Sequence, residues 1–221
     1  MTDYNAYSMT LGEKALYTAE AAAVLFVLSY IFYRSIPASL ALCPFALLYP
    51  GMKKKELIDK RKKDLNVQFK DMLYSLSSSL SAGKPVEAAF RDVLMDLEIL
   101  YPDKNTPIIQ EAEWLVRKIE MNETVESALN DFAKRSHIED IENFADVFST
   151  CKRSGGNIIE IIKNSSGIIN DKIEIKQEID TMLAERKFER KVLNIMPPVM
   201  ISLLSMTAKD YMEPVFSTAE G

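Results

Sequence analysis

The chain has 221 residues, 48% of them hydrophobic and 27% charged, so it carries enough apolar material for a packed core and does not have the composition of a disordered chain. A formal net charge of -5 and a pI near 5.1 exclude a nucleic-acid binder that works through a basic face, because releasing phosphate counterions needs clustered cations. With only 7 Gly and 9 Pro, and with Leu, Ile, Ala, Glu and Lys recurring at three-four spacing, the expected fold class is all-α.

Residues 1–52 read as an N-terminal membrane hairpin. The stretch 15–33, ALYTAEAAAVLFVLSYIFY, has Glu20 as its only charge and about the length that crosses a bilayer core. Arg34 interrupts, and 35–52 forms a second uncharged stretch. Pro37, Pro44 and Pro50 divide it, which fits a kinked span or a shallow re-entrant arm. The start MTDYNAY has no basic n-region, which argues against a cleaved signal peptide. Lys53, Lys54, Lys55, Lys60, Arg61, Lys62 and Lys63 follow immediately, so the positive-inside tendency puts the next segment in the cytoplasm, with the N-terminus on the same side.

Residues 53–191 read as a cytoplasmic antiparallel bundle of about six helices. Leu65, Phe69, Met72, Leu73, Leu76 and Leu80 stripe the first, which Gly83 closes as an αL residue. Pro85 opens the second, with Ala89, Phe90, Val93, Leu94 and Leu97 inward. Thr106-Pro107 starts the third, with Ile108, Ala112, Leu115, Val116 and Ile119. Val125, Ala128, Leu129 and Phe132 face inward from the fourth. Ser136 and Glu139 have capping-box spacing and should open the fifth, with Ile138, Ile141, Phe144, Phe148 and Cys151 on one side, up to Gly155-Gly156. Asn157 and Glu160 form a weaker cap for a long sixth helix, whose stripe is expected at Ile158, Ile161, Ile162, Ile168, Ile169, Ile175, Ile179 and Leu183. That helix meets Arg186, Lys187, Arg190 and Lys191, then the apolar stretch 192–208, VLNIMPPVMISLLSMTA, which reads as a transmembrane span leaving the cytoplasm. The segments FKDMLYSLSSSLSAGKPVEAAF and IENFADVFSTCKRSGGNIIEII form a faint repeat of helix, small-residue turn and helix.

Residues with catalytic chemistry do not assemble into a motif. There is no phosphate-cradling G-x-x-x-x-G-K-[ST] loop, and Gly155-Gly156 follows a helix rather than a strand. A single histidine, His137, cannot form a two-histidine metal motif and has no nucleophile turn to serve; it is expected to be exposed at a helix start. The acidic pairs Glu111 with Glu113 and Glu139 with Asp140 are expected on solvated helix faces, and Trp114 half-buried on the bundle. Cys43 and Cys151 read as small buried hydrophobes. No enzyme activity, cofactor or metal is therefore expected. The candidate turn and partner-contact positions are Gly83, Lys84, Pro85, Gly155, Gly156 and Asn157.

The basic juxtamembrane stretch, then F-x2-ML-x2-L-x3-LSAGKPVEAAF, NETVESALNDFAKRS, DVFSTCKRSGGNIIEII and a charged helix entering LNIMPPVMISLL resemble, in order and spacing, the type II secretion F-domain family over roughly residues 60 to 221. The likeness is nearest to the Tad (Flp) pilus branch of inner-membrane platform proteins, with archaeal flagellum platform proteins as more distant relatives. The resemblance implies a cytoplasmic helical domain between membrane helices, a cell-membrane location, and partners that include a cytoplasmic secretion ATPase, a paired platform protein, pilins and further copies in a homo- or hetero-oligomer. Asn122 stands where relatives often have glycine, and it too can adopt αL geometry. The family usually adds a further span after a motif like DYMEPVFSTAEG; here 209–221 is expected to be a truncated extracytoplasmic tail. A membrane-anchored helical signalling adaptor is the alternative the residues leave open.

Overall fold

The computed structural model describes residues 3–5, 9–33 and 36–207. Among these the secondary structure is helical and no strand occurs. The turn expected near Arg34 and the tail expected at 209–221 lie outside the described residues. The chain divides into two compact units: one holds residues 57–177 with the described residues before position 8, and the other holds 8–56 and 178 onward.

In the second unit, α1 (Leu11–Tyr33) starts on a reciprocal cap. The Glu13 N–H donates to Thr10 Oγ1 (3.3 Å), and the Thr10 N–H donates to Glu13 Oε2 (2.9 Å). Leu11–Ile31 within it is, among the described residues, the one segment long and apolar enough to cross a membrane, and it is almost wholly unburied. Its large side chains face outward, Leu11, Leu16, Val24 and Val27 among them. The second uncharged stretch is broken: α2 (Ile36–Leu42) gives way to a 3₁₀ segment (Cys43–Leu48) with Pro44 in its first turn. α1 packs against both pieces, and Ala46 is fully buried. The side chain of Cys43 lies outside those described.

The first unit is a bundle built around α3 (Tyr49–Ser81) from residue 57 on. All six expected stripe residues, Leu65 to Leu80, are buried, and Ser75 and Ser77 are buried with them. Around this helix are α4 (Val86–Leu100), α5 (Pro107–Glu120), α6 (Val125–Ser136), α7 (Glu139–Ser154) and the first part of α8 (Ile158–Thr207). Short turns make α4 with α5, α5 with α6, and α6 with α7 packed antiparallel neighbours. Phe69 joins them at the centre, meeting Phe132 edge-on at 6.0 Å and Phe144 at 5.5 Å between ring centroids. Polar ties fix the register of α3: Ser75 Oγ donates to Asp96, Tyr101 Oη donates to Asp71 (2.6 Å), and the Ile108 N–H donates to Gln68 Oε1 (3.3 Å).

Four expectations fail here. Ser136 does not cap α7: it ends α6, donating from Oγ to the Ala133 carbonyl (2.8 Å) and accepting the Ile138 N–H (3.2 Å). α7 starts one residue past Ile138 without a side-chain cap, and His137 sits between the helices in αL geometry (φ 50°), not at a helix start. The stripe of α8 drifts. Ile162 and Ile169 are buried and Ile173 packs on the core, but Ile168, Ile175, Ile179 and Leu183 are exposed. A 3.6-residue turn cannot carry 168 and 169, or 169 and 175, inward on one line, and the bundle unit ends at Gln177. Glu111, expected on a solvated face, is only 4% exposed.

Replacing Phe69 with alanine should lower stability by about 3–5 kcal/mol, because the cavity would open where three helices meet. Chemical denaturation of the full chain in detergent, followed by tryptophan fluorescence, measures this. A loss under about 1 kcal/mol would show that α3 is not the central helix.

Candidate functional site

The candidate positions form two exposed turns. At the first, Gly83 takes φ 83°, its N–H donates to the Leu80 carbonyl (2.9 Å), and the Lys84 N–H reaches back to Ser79 (3.4 Å). That closes α3 with a left-handed residue that only glycine adopts freely. Pro85 then caps α4 from outside the helix, and Lys84 pairs with Asp92. At the second turn, Gly155 takes φ 71° and the Gly156 N–H donates to the Cys151 carbonyl (3.0 Å). Asn157 accepts the Glu160 N–H on Oδ1 (3.3 Å), so the expected cap of α8 is present. Asn122 supplies a third left-handed closure (φ 63°), the geometry expected of it in place of glycine.

One side chain brings the two turns to the same end of the bundle. Lys152, in the last turn of α7, pairs with Glu126 in the first turn of α6 (2.9 Å) and reaches Glu87 in the first turn of α4 (3.9 Å). Both carboxylates sit at helix N-termini, where the backbone dipole favours anions. Burial alone would raise the Glu126 carboxyl, but the Lys152 hydrogen bond and a backbone donor hold it below its ordinary value. A shallow groove of about 470 Å³ flanks the second turn, lined by Val147, Cys151, Gly156, Asn157 and Ile161 among others. This end therefore exposes backbone, small residues and charge.

The opposite end carries a polar network that sequence reasoning missed. Arg135 grips Glu111 with both terminal nitrogens (2.7 and 2.6 Å) and donates from Nε to Asp131 (3.2 Å), which Lys118 also approaches (3.3 Å). Tyr4, 1% exposed, donates its hydroxyl to Glu111 Oε1 (2.9 Å). Burial first, then the Glu111 carboxylate beside it, push the Tyr4 phenol well above its usual range. Nothing in the spacing of Glu111 distinguishes it from Glu113, since only the arrival of α6 and the N-terminal segment buries one of the two. Trp114 is half-buried, as expected, with Arg117 and Lys118 each 5.9 Å from its ring. His137 is 45% exposed by side chain and lies 3.5 Å from Asp3.

Two outcomes test the turn geometry. A Cβ on Gly156 would stand 2.9 Å from Cys151 Sγ, so Gly156→Ala should destabilise the chain and the added substitution Cys151→Ala should recover part of the loss; additive losses in thermal melts would refute the contact. Because the folded-state pKa of Glu126 lies below its unfolded value, its pairing stabilises the fold above the unfolded value and that stabilisation is lost as pH falls through the depressed folded value. Glu126→Gln should flatten that acid limb of the pH–stability curve.

A family model described as Type II secretion system (T2SS), protein F, matches residues 72–206, more than half of the chain, from within α3 to the last turn of α8. No curated protein and no solved structure matches the chain. With the match running through both glycine turns and all the helices between them, the chain belongs to the type II secretion system protein F family, whose members are structural membrane platform proteins rather than enzymes.

Proposed function

We propose that this chain is an inner-membrane platform protein of the Tad (Flp) branch, which couples a separate cytoplasmic secretion ATPase to the assembly of pilins. The observation that carries the reading is the family match over 72–206, taken with the one helix α8, which runs on from the bundle into apolar sequence. A helix shared by the bundle and an apolar segment suits a part that transmits work without hydrolysing anything.

The topology follows the same reading. The 11–52 segment is a membrane hairpin, 53–191 is cytoplasmic, and 192–208 is a span. Exposed Val192, Leu193, Ile195, Met196, Val199, Met200, Leu203 and Leu204 leave the end of α8 apolar on several sides, which costs free energy in water and none in lipid. Pro197 and Pro198 inside this helix forfeit backbone hydrogen bonds, which supports a packed neighbour there, such as the paired platform protein or a second copy. Lys62, Lys63, Lys172 and Lys176 line, with Asp59 and Asp140, one groove of about 510 Å³, in which Lys172 pairs with Asp140 (2.6 Å); the excess of lysines suits the cytoplasmic leaflet. The two exposed turns at Ser81 to Lys84 and Ser154 to Asn157 are the contact surfaces proposed for the ATPase.

The expected outcome is co-purification of the chain from membranes with a cytoplasmic hexameric ATPase. Lys84→Gln, at an exposed turn, removes the charge at the cost of a surface ion pair only, so it should reduce the retained ATPase while leaving the melting temperature within about 4 °C. A chain that retains no such ATPase under any mild detergent would overturn the coupling role.

A further inference from the structure

The residues before the first apolar helix are not needed for a span, yet Tyr4 is among the most deeply buried side chains of the bundle unit. It belongs to the same core cluster as Leu65 and Phe69. Its ring lies under the Arg61 guanidinium of α3, 5.0 Å from the centroid, and its hydroxyl donates to Glu111 of α5. Its backbone N–H donates to the Arg135 carbonyl (3.1 Å), one of the last carbonyls of α6 and so one without a partner inside that helix. On either side, Lys62 Nζ donates to Asn5 Oδ1 (3.0 Å), and the Asn5 N–H donates to Asp3 Oδ1 (2.8 Å), turning the backbone at Tyr4. Ordering a segment outside the helices costs conformational entropy, and these contacts offset that cost.

We propose that Arg61, Glu111 and Arg135 form a docking site for the chain's own N-terminal segment, in which Tyr4 is a latch that holds the start of the membrane hairpin on the bundle's side of the bilayer. The inference rests on the reading of 11–52 as membrane-inserted. Tyr4 and Leu11 are separated by a tether whose full extension is about 25 Å, shorter than the roughly 30 Å hydrocarbon core. With Tyr4 seated, Leu11 cannot start on the far side. α3 also leaves the hairpin on the bundle's side, so the 11–52 segment crosses the bilayer an even number of times, and its broken second half is the return limb.

The test uses the full chain in inside-out and right-side-out vesicles, after flotation has shown that the protein is membrane-inserted. Native cysteines are replaced, and Asp3→Cys is probed with a membrane-impermeant maleimide. Labelling is expected only in vesicles that expose the bundle, and labelling only from the opposite face would overturn the proposal. Hydrogen exchange of the Tyr4 amide is the second readout. Tyr4→Phe keeps the ring and loses the Glu111 bond, so exchange should quicken roughly fivefold. Tyr4→Ala removes the anchor, so the quickening should exceed about a hundredfold. Should Tyr4→Ala fail to fold, Arg61→Gln, which removes only the cation over the ring, should quicken exchange about threefold. Unchanged exchange in Tyr4→Phe and Arg61→Gln would overturn the latch. ATPase retention does not enter these measurements, so the latch and the coupling role fail independently, and a chain that does not float fails the membrane reading instead.

Discussion

The bundle depends on the burial of α3 between Leu65 and Leu80. A surface helix hides one stripe, but this one hides Leu65, Phe69, Met72, Leu73, Ser75, Leu76, Ser77 and Leu80, so it must be covered from several directions. α4 covers the Ser75 side, α5 the Gln68 side, and the rings of Phe132 and Phe144 bring α6 and α7 onto Phe69. Each covering helix is short, from 12 to 16 residues, and would be marginal alone; α3 supplies the apolar surface that makes each one stable.

The two ends of the bundle solve different problems. At the glycine end the chain must reverse direction within a few residues, and left-handed Gly83, Asn122 and Gly155 do so by returning backbone N–H groups to orphan carbonyls. At the other end the problem is electrostatic. Glu111 is removed from water, and a buried carboxylate is tolerable only when its oxygens are saturated with donors. Arg135 provides two and Tyr4 a third, so the N-terminal segment completes a network that α5 and α6 begin. The coupling has a structural consequence: Tyr4, far from the bundle helices in sequence, is part of the bundle's core.

Much of the core was legible because helical periodicity and burial are the same fact for α3 to α7. Leu65, Phe69, Phe90, Leu115, Phe132 and Phe148 stood at three-four spacing and are buried. The glycine turns were legible too, since Gly83, Gly155 and Asn122 are among the few residue types that accept positive φ. In α8 the reading broke down because eight apolar positions offered more than one stripe, and only packing on the bundle core chose Ile162, Ile169 and Ile173. The Ser136 box failed for a related reason. Its spacing is right, but α6 runs on to Ser136 and uses the hydroxyl inside its own last turn.

The sequence by itself determined the all-helical class, the order of the helices, their inward stripes from α3 to α7, the apolar segments and the family, because each of these rests on local spacing and composition. Only the tertiary structure decided which acid is buried, where Tyr4 goes, and that Lys152 brings the turns at Gly83 and Gly155 to one end. These depend on residues from distant helices meeting in space: Tyr4 and Glu111 are 107 positions apart, and no local pattern records that contact.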